Sequence, residues 1–398
     1  MKSIGIKLIK VTLAILLAFF VVKQVELNDR LLSPETENDQ AKIELFGDLS
    51  GDWRGTDWTF HFAEGTPANP IPGATPYEAL SATDLQTYLE KGWEIRPGFL
   101  TILSGIQLPW FVLGAALWGV LLVLASVRWR VLLRAVGIQT TFANALRLCF
   151  VGYFFNNVMP GVTGGDVVRG ALITRGLESQ RWRAALSVIV DRVVGLIALL
   201  TLAAIVLAWG LFSSNEQSRY PNVFGQGVFL VLAGAVLGGA VYLSRRVRDF
   251  LGVERWLSKL PGGTTLTKID GALSVYRNNL KGLFVAYLMS LPLQICAVLS
   301  FWAIGVSIGA GISLEDDFVI FPVVQTASAI PLTPAGWGYG EWLYGNSFAR
   351  FGSTFTLGVA VSFLFRLTTQ LGFGLIGGLI WVSSGYRKEE VQLVQSEK

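Results

Sequence analysis

The chain has few of the residues on which most enzyme chemistry depends. Its 398 residues include one histidine and two cysteines, and charged residues make up only 15% of the sequence. The histidine, His61, has no second histidine or cysteine near it, so neither a metal site nor a histidine-based catalytic site has support. Cys149 and Cys296 lie in separate apolar runs, which favours buried thiols over a disulfide. We therefore predict no metal and no cofactor.

Apolar residues and glycine are abundant instead. Hydrophobic residues make up 52% of the sequence and 44 positions are glycine, a composition that soluble domains rarely reach. Apolar runs of about 18 to 25 residues are long enough to cross a ~30 Å hydrocarbon core. This pattern predicts an all-α polytopic membrane protein. We expect about six transmembrane helices, at 4–25, 106–127, 184–210, 227–243, 282–306 and 355–382.

Basic residues near the ends of these runs predict the orientation of the chain. Lysines lie at the start of the first span and arginines follow the second, so the positive-inside rule places both groups in the cytoplasm. The net charge of +4 then belongs to inside loops and does not indicate nucleic-acid binding. We predict a multi-pass protein of the inner (cytoplasmic) membrane with both termini cytoplasmic. The residues counted are Lys2, Lys7, Lys10, Arg128, Arg130, Arg134, Arg175, Arg181, Arg183, Arg245, Arg246, Arg248, Arg387 and Lys388.

One long polar insertion, residues 26–105, falls on the external side of the membrane. It is acidic, and aromatic residues alternate in DWRGTDWTFHF, residues 52–62, which predicts a short β-hairpin. A domain of this size without disulfides is marginal alone, so we expect it to pack on the membrane domain. The predicted domains are the first transmembrane helix (1–25), this extracytoplasmic domain (26–105), the membrane domain (106–385) and a cytoplasmic tail (386–398).

Two segments, 140–175 and 318–350, do not fit the six-helix count. Each starts as an apolar helix, breaks at a run of proline and glycine, and resumes as a short helix. Broken backbone is tolerated at membrane depth only inside protein or beside a wet cavity, so we predict two re-entrant helical hairpins. The predicted helix-break residues are Pro160, Gly164, Gly165, Pro334, Gly336 and Gly338.

The two hairpins align with each other. Arg192 lies 32 residues after Pro160, and Arg366 lies 32 residues after Pro334. Two such hairpins entering from opposite sides predict an inverted-topology repeat, and transporters built this way hold their substrate near the membrane midplane. The competing explanation is chance, because proline and glycine are common in membrane helices.

Several ionisable residues fall in these segments, where each costs at least ~2.5–3.5 kcal/mol unless it is paired or hydrated. Asp166 and Arg169 are three residues apart and share one helix face. Asp191 and Arg192 are adjacent and point about 100° apart, so we expect each to find its partner in the opposite hairpin. The full set is Asp166, Arg169, Asp191, Arg192, Glu341 and Arg366.

Two interpretations of these charges remain open. In the first, they form buried salt bridges that lock the hairpins into the bundle. In the second, Arg169, Arg192 and Arg366 bind an anionic headgroup such as a lipid phosphate, helped by the N–H groups of the helix N-termini. The acidic residues would then hold the arginines between ligands or carry a coupling proton.

Three sequence blocks are similar to a known family. FFNNVMPGVTGGDVVRG, SVIVDRVVGL and IPLTPAGWGYGE resemble the signature blocks of the lysylphosphatidylglycerol synthase transmembrane family, also called flippase-like or UPF0104 proteins. The resemblance covers approximately residues 106–385. It implies an inner-membrane protein that moves, or helps to move, a lipid across the bilayer. By matching position, the motif residues are Asn157, Pro160, Gly164, Gly165, Asp166, Arg169, Asp191, Arg192, Pro334, Gly336, Gly338 and Glu341.

The resemblance ends near residue 385, and we expect no acyltransferase domain of the kind that the synthases of this family carry. We therefore expect a transporter-like protein and not an enzyme. We predict a lipid translocase that moves a phospholipid or a lipid-linked headgroup across the cytoplasmic membrane. The alternative is a non-transporting subunit or anchor for a glycosyltransferase or an envelope-assembly complex. The predicted substrate-binding residues are Asn157, Asp166, Arg169, Asp191, Arg192, Glu341 and Arg366.

Overall fold

The structure, a computed structural model, describes most of the chain between residues 18 and 384. The predicted tail 386–398 and most of the predicted first helix, 4–25, lie outside the described residues, although residues 18–24 are helical. The described residues are 12, 16, 18–34, 43–55, 58–63, 79–81, 89–90, 92–158, 164–174, 181–212, 222–244, 250, 274–328, 332–333 and 336–384.

An antiparallel β-sheet precedes the membrane helices. Its strands lie side by side in the order β4-β3-β2-β1-β5. Trp58 and Phe60 alternate along β3 and point into a small core with Leu31 and Leu80, all four buried. The short β-hairpin predicted at 52–62 is part of a larger sheet, in which this stretch supplies a turn and β3, and β3 pairs with β2. The strands are β1 (Asp29–Leu32), β2 (Glu44–Gly51), β3 (Trp58–Phe62), β4 (Ala79–Ser81) and β5 (Glu94–Arg96).

Helices make up the rest of the described chain. A π-helical segment, Leu367–Gly372, joins the last two of them into one span, Phe355–Ser383. The helices are α1 (Phe99–Ser104), α2 (Leu108–Ala135), α3 (Phe142–Val158), α4 (Gly164–Ile173), α5 (Arg181–Phe212), α6 (Asn222–Leu243), α7 (Leu280–Ser307), α8 (Leu314–Ser328), α9 (Tyr339–Arg350), α10 (Phe355–Arg366) and α11 (Phe373–Ser383).

Within the described residues, four helices are long and apolar enough to cross a membrane. They coincide with four of the predicted spans, which are thereby confirmed as apolar helices of membrane-crossing length. A fifth predicted span, 227–243, falls within α6, whose described apolar part is Gly227–Gly239. The four long helices are Leu108–Ala135, Trp182–Trp209, Leu280–Ser307 and Phe355–Ser383.

Glycines allow the closest helix contacts. A Cβ atom on Gly114 of α2 would lie 2.7 Å from the Ile304 side chain of α7, and the Ser300 hydroxyl donates to the Gly114 carbonyl at 2.7 Å. A Cβ atom on Gly377 of α11 would overlap the carbonyl oxygen of Phe150 in α3. The second contact joins the last helix of the described chain to the first of the two broken segments.

Asp29 and Arg54 connect the sheet to the helices. The buried Asp29 carboxylate accepts from the N–H groups of Gly98 and Leu49, both at 2.6 Å, and so links two strands to α1. The Arg54 guanidinium donates to the carbonyl of Ser307, the last residue of α7, at 3.0 Å and to the carbonyl of Gly105, which follows α1. A cation is favourable at both positions because helix C-termini carry partial negative charge.

The two broken segments have the same layout. In the first unit, α3 ends, α4 follows as a short helix, and the long α5 comes next; α8, α9 and the joined α10–α11 form the second unit in the same order. Gly336 and Gly338 have φ of 74° and 80°, a conformation that favours glycine, and they lie just before α9. Pro160 and Pro334 lie outside the described residues. The re-entrant and inverted arrangement of the units stays a prediction.

Gly164 and Gly165 are the first two residues of α4, and Gly165 allows close packing. A Cβ atom on Gly165 would overlap the carbonyl oxygen of Gly152 in α3. The Gly165 N–H donates to Oδ1 of Asn156 at 2.8 Å, which satisfies one of the exposed donors at the start of α4. The two arms of the first unit therefore pack with their backbones almost in contact.

Candidate functional site

A cavity of about 500 Å³ lies between the two units. Arg169 of α4 and Arg192 of α5 line it from the first unit, and Arg366 at the end of α10 lines it from the second. Arg128 of α2 is a fourth arginine on its wall. Apolar side chains, among them Leu121 and others from α5 and α7, form much of the remaining wall. A concave, mainly apolar site with a few converging polar groups is typical of a ligand pocket.

Asp191 holds two of these arginines. Its Oδ1 accepts from Nε of Arg128 at 2.9 Å, and its Oδ2 accepts from Nη2 of Arg169 at 3.1 Å. All three residues are buried. Arg128 also donates to the Ser290 hydroxyl at 2.9 Å, and the Arg169 guanidinium lies 4.4 Å from the centre of the Trp129 ring. Arg128 and Arg169 carry two positive charges and Asp191 carries one negative charge. These three residues together therefore have one positive charge without a counter-ion.

Arg192 has a different environment from these buried arginines. Its Nε donates to Oδ2 of Asp166 at 2.8 Å, but 57% of its side chain is exposed, compared with 12% for Asp166. Asp166 lies in the first turn of α4, where the helix dipole favours a carboxylate. Its other oxygen is 4.0 Å from Arg169. Arg192 is therefore the least enclosed of the four arginines that line the cavity.

The second unit repeats this acid and arginine pairing. Nε of Arg366 lies 2.7 Å from Oε1 of Glu341, and both residues are buried. Arg366 also donates to the carbonyl of Gly336 at 3.1 Å, and Oε2 of Glu341 accepts from the N–H of Gly338 at 2.6 Å. The acid thus caps the N-terminus of α9 and positions an arginine of the following helix, much as Asp166 does at α4.

The predicted source of these partners was wrong. Asp191 and Arg192 were expected to pair with the opposite hairpin, yet their partners lie in the first unit itself or in α2. The reason is that α4 packs directly on α5, which follows it in sequence, so Asp166 and Arg192 meet although they are 26 residues apart. The opposite hairpin contributes to the cavity wall instead.

Some site residues lie elsewhere than the sequence predicted. The side chain of Asn157 is outside the described part of the chain, and its neighbour Asn156 lines the cavity. Arg128 was counted among cytoplasmic loop residues, but it lies inside α2 and only 6% of it is exposed. The α2 helix continues beyond the predicted end of the span because the Arg128 charge is neutralised by Asp191 and does not need solvent.

Several buried donors on the cavity wall have no hydrogen-bond partner within the described residues. They are Nε1 of Trp118, the hydroxyls of Ser328, Tyr344 and Ser362, and Nε of Arg169. Buried polar groups are normally hydrogen-bonded, and an unpaired one costs about 1–3 kcal/mol. These atoms have almost no accessible surface, so they are enclosed within the wall and do not face the cavity. None of these residues except Arg169 was predicted.

The charged groups at the cavity carry a small positive excess. Four arginines line the wall, and the acids paired with them are Asp191, Asp166 and Glu341, which leaves one positive charge. Among the described residues, no group of three or more histidine, cysteine and acidic side chains could hold a metal ion. The arrangement is therefore suited to an anion.

The comparisons with known proteins identify one family of membrane proteins. The family profile described as lysylphosphatidylglycerol synthase TM region matches residues 98–377. UPF0104 membrane proteins are similar to the chain: one of Methanothermobacter thermautotrophicus is 27% identical over 70% of this chain and 86% of its own length. One of Methanocaldococcus jannaschii is 22% identical over 63% of this chain and 77% of its own length.

A third UPF0104 membrane protein, from Pyrococcus horikoshii, is 22% identical over 64% of this chain and 81% of its own length. No solved structure matches the chain. The profile covers well over half of the sequence, including both broken units and the arginine-lined cavity. The chain is a multi-pass membrane protein and belongs to the lysylphosphatidylglycerol synthase TM region family.

Proposed function

We propose that this protein is a lipid translocase that binds the anionic headgroup of a phospholipid, or of a lipid-linked carrier, in the cavity between the two units. The observation that supports this most is the position of Arg169, Arg192 and Arg366 on one cavity wall, although they come from separate units. A ligand held by all three would contact both units together, which is how a translocase couples binding to their relative movement.

The charge balance favours a phosphate as the bound group. Arginine presents a planar fork of N–H donors that matches phosphate oxygens, and the single positive excess matches the single negative charge of a phosphodiester. An unneutralised charge at membrane depth is costly, so an anion in the cavity lowers the free energy of the bundle. The ion pairs with Asp166 and Glu341 hold the arginines in place between ligands.

Arg192 is the arginine best placed to exchange partners. Its side chain is more than half exposed, whereas its partner Asp166 is nearly enclosed. Its guanidinium is therefore the one that a phosphate reaches most easily, because the ion pairs of Arg128, Arg169 and Arg366 are buried. In our proposal, Arg192 engages the headgroup first and Arg366 follows when the lipid reaches the centre of the cavity.

Reconstitution of the full chain into liposomes tests this function. The liposomes carry acyl-labelled fluorescent phosphatidylglycerol, and a membrane-impermeant quencher reports how much label has moved from the inner to the outer leaflet. We expect wild-type protein to move the label, and Arg192→Gln and Arg366→Lys to slow it about tenfold, since a charge-assisted hydrogen bond is worth about 1.5–3 kcal/mol. Arg366→Lys keeps a cation beside Glu341 but lacks the planar fork of N–H donors that arginine presents to a phosphate.

Arg134→Gln is the matched control, because Arg134 is an exposed arginine at the end of α2 that does not line this cavity. It should translocate lipid at the wild-type rate. Wild-type protein that moves no more label than protein-free liposomes would contradict the proposal. In that case, an enzyme that co-purifies with the chain would favour the anchor or subunit function instead.

A further inference from the structure

We infer that the π-helical segment Leu367–Gly372 is a hinge, at which the last span bends while the two units open and close around the cavity. This inference rests on the proposed function, because it names the element that lets the units move during translocation. The packing of the two halves of the span, the place of the segment on the cavity wall and its hydrogen bonds support it.

The half of the span before this segment, α10, packs within the second unit. A Cβ atom on Gly358 of α10 would lie 2.6 Å from the carbonyl oxygen of Tyr344 in α9, so these two helices touch through their backbones. Phe365, near the end of α10, packs against Phe321 of α8, with the ring centres 5.8 Å apart. α10 is therefore joined to both other helices of the second unit.

The half of the span after the segment, α11, packs on the first unit instead. Among the described helices it lies mainly against α3, where Gly377 allows the backbones to meet at Phe150. Trp381 of α11 packs edge-on against Phe155 of α3, with the ring centres 5.0 Å apart, in a small apolar cluster that includes Val168 of α4. By its packing, α11 thus belongs with the first unit although it follows the second in the chain. The span passes from one unit to the other at the π-helical segment.

The segment also lies on the wall of the cavity. Thr369 and Gln370 line the cavity, and Arg366 directly precedes the segment. Arg366 is held in the second unit by its ion pair with Glu341. A bend in the segment therefore changes the distance between Arg366 and the arginines of the first unit, which in our proposal hold the same headgroup.

The backbone of the segment is suited to bending. The Phe373 N–H donates to the carbonyl of Thr368, five residues earlier, and the hydroxyls of Thr368 and Thr369 donate to carbonyls of the preceding turn at 2.8 and 2.7 Å. Bonds of this second kind often bend helices, and π turns are both a cause of sharp kinks and frequent at functional sites. The other three described helices of membrane-crossing length are α-helical throughout.

Deletion of Leu371 tests the hinge. A π turn encloses one residue more than an α turn, so the deletion converts the segment to α-helix and leaves the same face of α11 on α3. Leu371 is 45% exposed and does not line the cavity. Leu371→Ala is the matched control, because it removes the same side chain at unchanged chain length. In the liposome assay we expect the deletion to slow lipid movement about tenfold, since hinge changes act on the rate of movement, and Leu371→Ala to match the wild type.

Binding of a soluble headgroup separates a blocked movement from a damaged site. Isothermal titration with glycerophosphoglycerol should give the deletion variant a Kd within about threefold of the wild type, because the cavity arginines all remain. A loss of binding as large as the loss of lipid movement would overturn the inference, since the segment would then shape the site and not act as a hinge.

A distance measurement in the full-length chain keeps the inference testable if the deletion variant does not fold. Spin labels are placed at Ala349 of α9 and Leu379 of α11, two exposed positions on either side of the segment. Cys296 is replaced by alanine, and the buried Cys149 is kept. Double electron–electron resonance should show that the distance between the labels changes when glycerophosphoglycerol binds. Labels at Leu379 and at Val167 of α4, which is 48% exposed, are the control pair within the first unit, and their distance should stay constant.

The outcomes separate the hinge from the function on which it rests. An unchanged distance between α9 and α11 would overturn the hinge, and so would lipid movement at the wild-type rate in the deletion variant. A Leu371→Ala variant as slow as the deletion would also overturn it, because the loss would then belong to the side chain. Wild-type protein that bends when it binds the headgroup, yet moves no lipid, would overturn the proposed function and leave the hinge in place.

Discussion

Nε of Arg128 donates a hydrogen bond to Oδ1 of Asp191 across 2.9 Å, and both side chains are more than nine-tenths buried. The pair joins α2 to α5, and Arg169 extends it to α4 through the second carboxylate oxygen. Two buried guanidiniums depend on this single carboxylate. Asp191 is therefore important for stability as well as for the charge of the cavity.

Asp191→Asn should destabilise the protein strongly. It leaves two buried cations without their shared counter-ion, and breaking a buried ion pair in this way costs about 3–5 kcal/mol. Arg192→Gln, at the adjacent position, removes an exposed pair and should cost less than about 1 kcal/mol. Denaturant unfolding of both variants in the same detergent measures the difference. Equal losses of unfolding free energy would show that Asp191 is not the counter-ion on which the bundle depends.

Gly165→Ala should separate the two arms of the first unit. The new methyl group would overlap the Gly152 carbonyl of α3, and such overpacking costs about 1–3 kcal/mol. Gly234→Ala is the matched control, because Gly234 lies in α6 and no atom lies within 4 Å of the position that its new methyl group would occupy. Alanine there should be neutral or slightly stabilising, since alanine is the better helix former.

Thermal unfolding and lipid translocation measured on both glycine variants check this prediction. The Gly165 variant should lose stability and transport together, because α4 carries Asp166 and Arg169. A Gly165 variant that is as stable as the Gly234 variant would mean that the helices of the first unit are not in backbone contact.

Arg54→Ala should loosen the external sheet from the helices. It removes the donors to the Ser307 and Gly105 carbonyls at two helix ends, a loss of about 2 kcal/mol. Hydrogen exchange of α1 and of β3 should rise, because the loop that carries Arg54 no longer holds them together. Arg30→Ala is the control, since Arg30 pairs at 3.3 Å with Glu44 inside the sheet. Equal exchange in the two variants would contradict this role of Arg54.

Much of the membrane region was predictable from the sequence, because hydropathy over about 20 residues identifies spanning helices and glycine indicates where a helix breaks. The breaks at Gly336 and Gly338 follow from this reasoning. Arg128 could not be placed in the same way, since hydropathy ends a span at the first arginine. Its partner, Asp191, is 63 residues away and becomes evident only in three dimensions.

The polar wall of the cavity was also beyond sequence reasoning. Tyr344 and Ser362 are ordinary residues of membrane helices, and only their unpartnered atoms beside the cavity distinguish them. The sheet was underestimated because β1, β4 and β5 are only three or four residues long, too short for an alternating pattern to be recognised. Asp166, Arg169 and Arg366 were found because a charge inside an apolar segment is conspicuous.

The central claim is that arginines of both units hold one headgroup. Isothermal titration of the purified protein with the soluble headgroup glycerophosphoglycerol measures this directly, for wild type, Arg192→Gln and Arg366→Lys. We predict one bound molecule per chain and a Kd about tenfold higher in each variant, since tenfold corresponds to about 1.4 kcal/mol. Wild-type affinity in the Arg366→Lys variant, together with a loss in Arg192→Gln, would contradict a site shared by the two units.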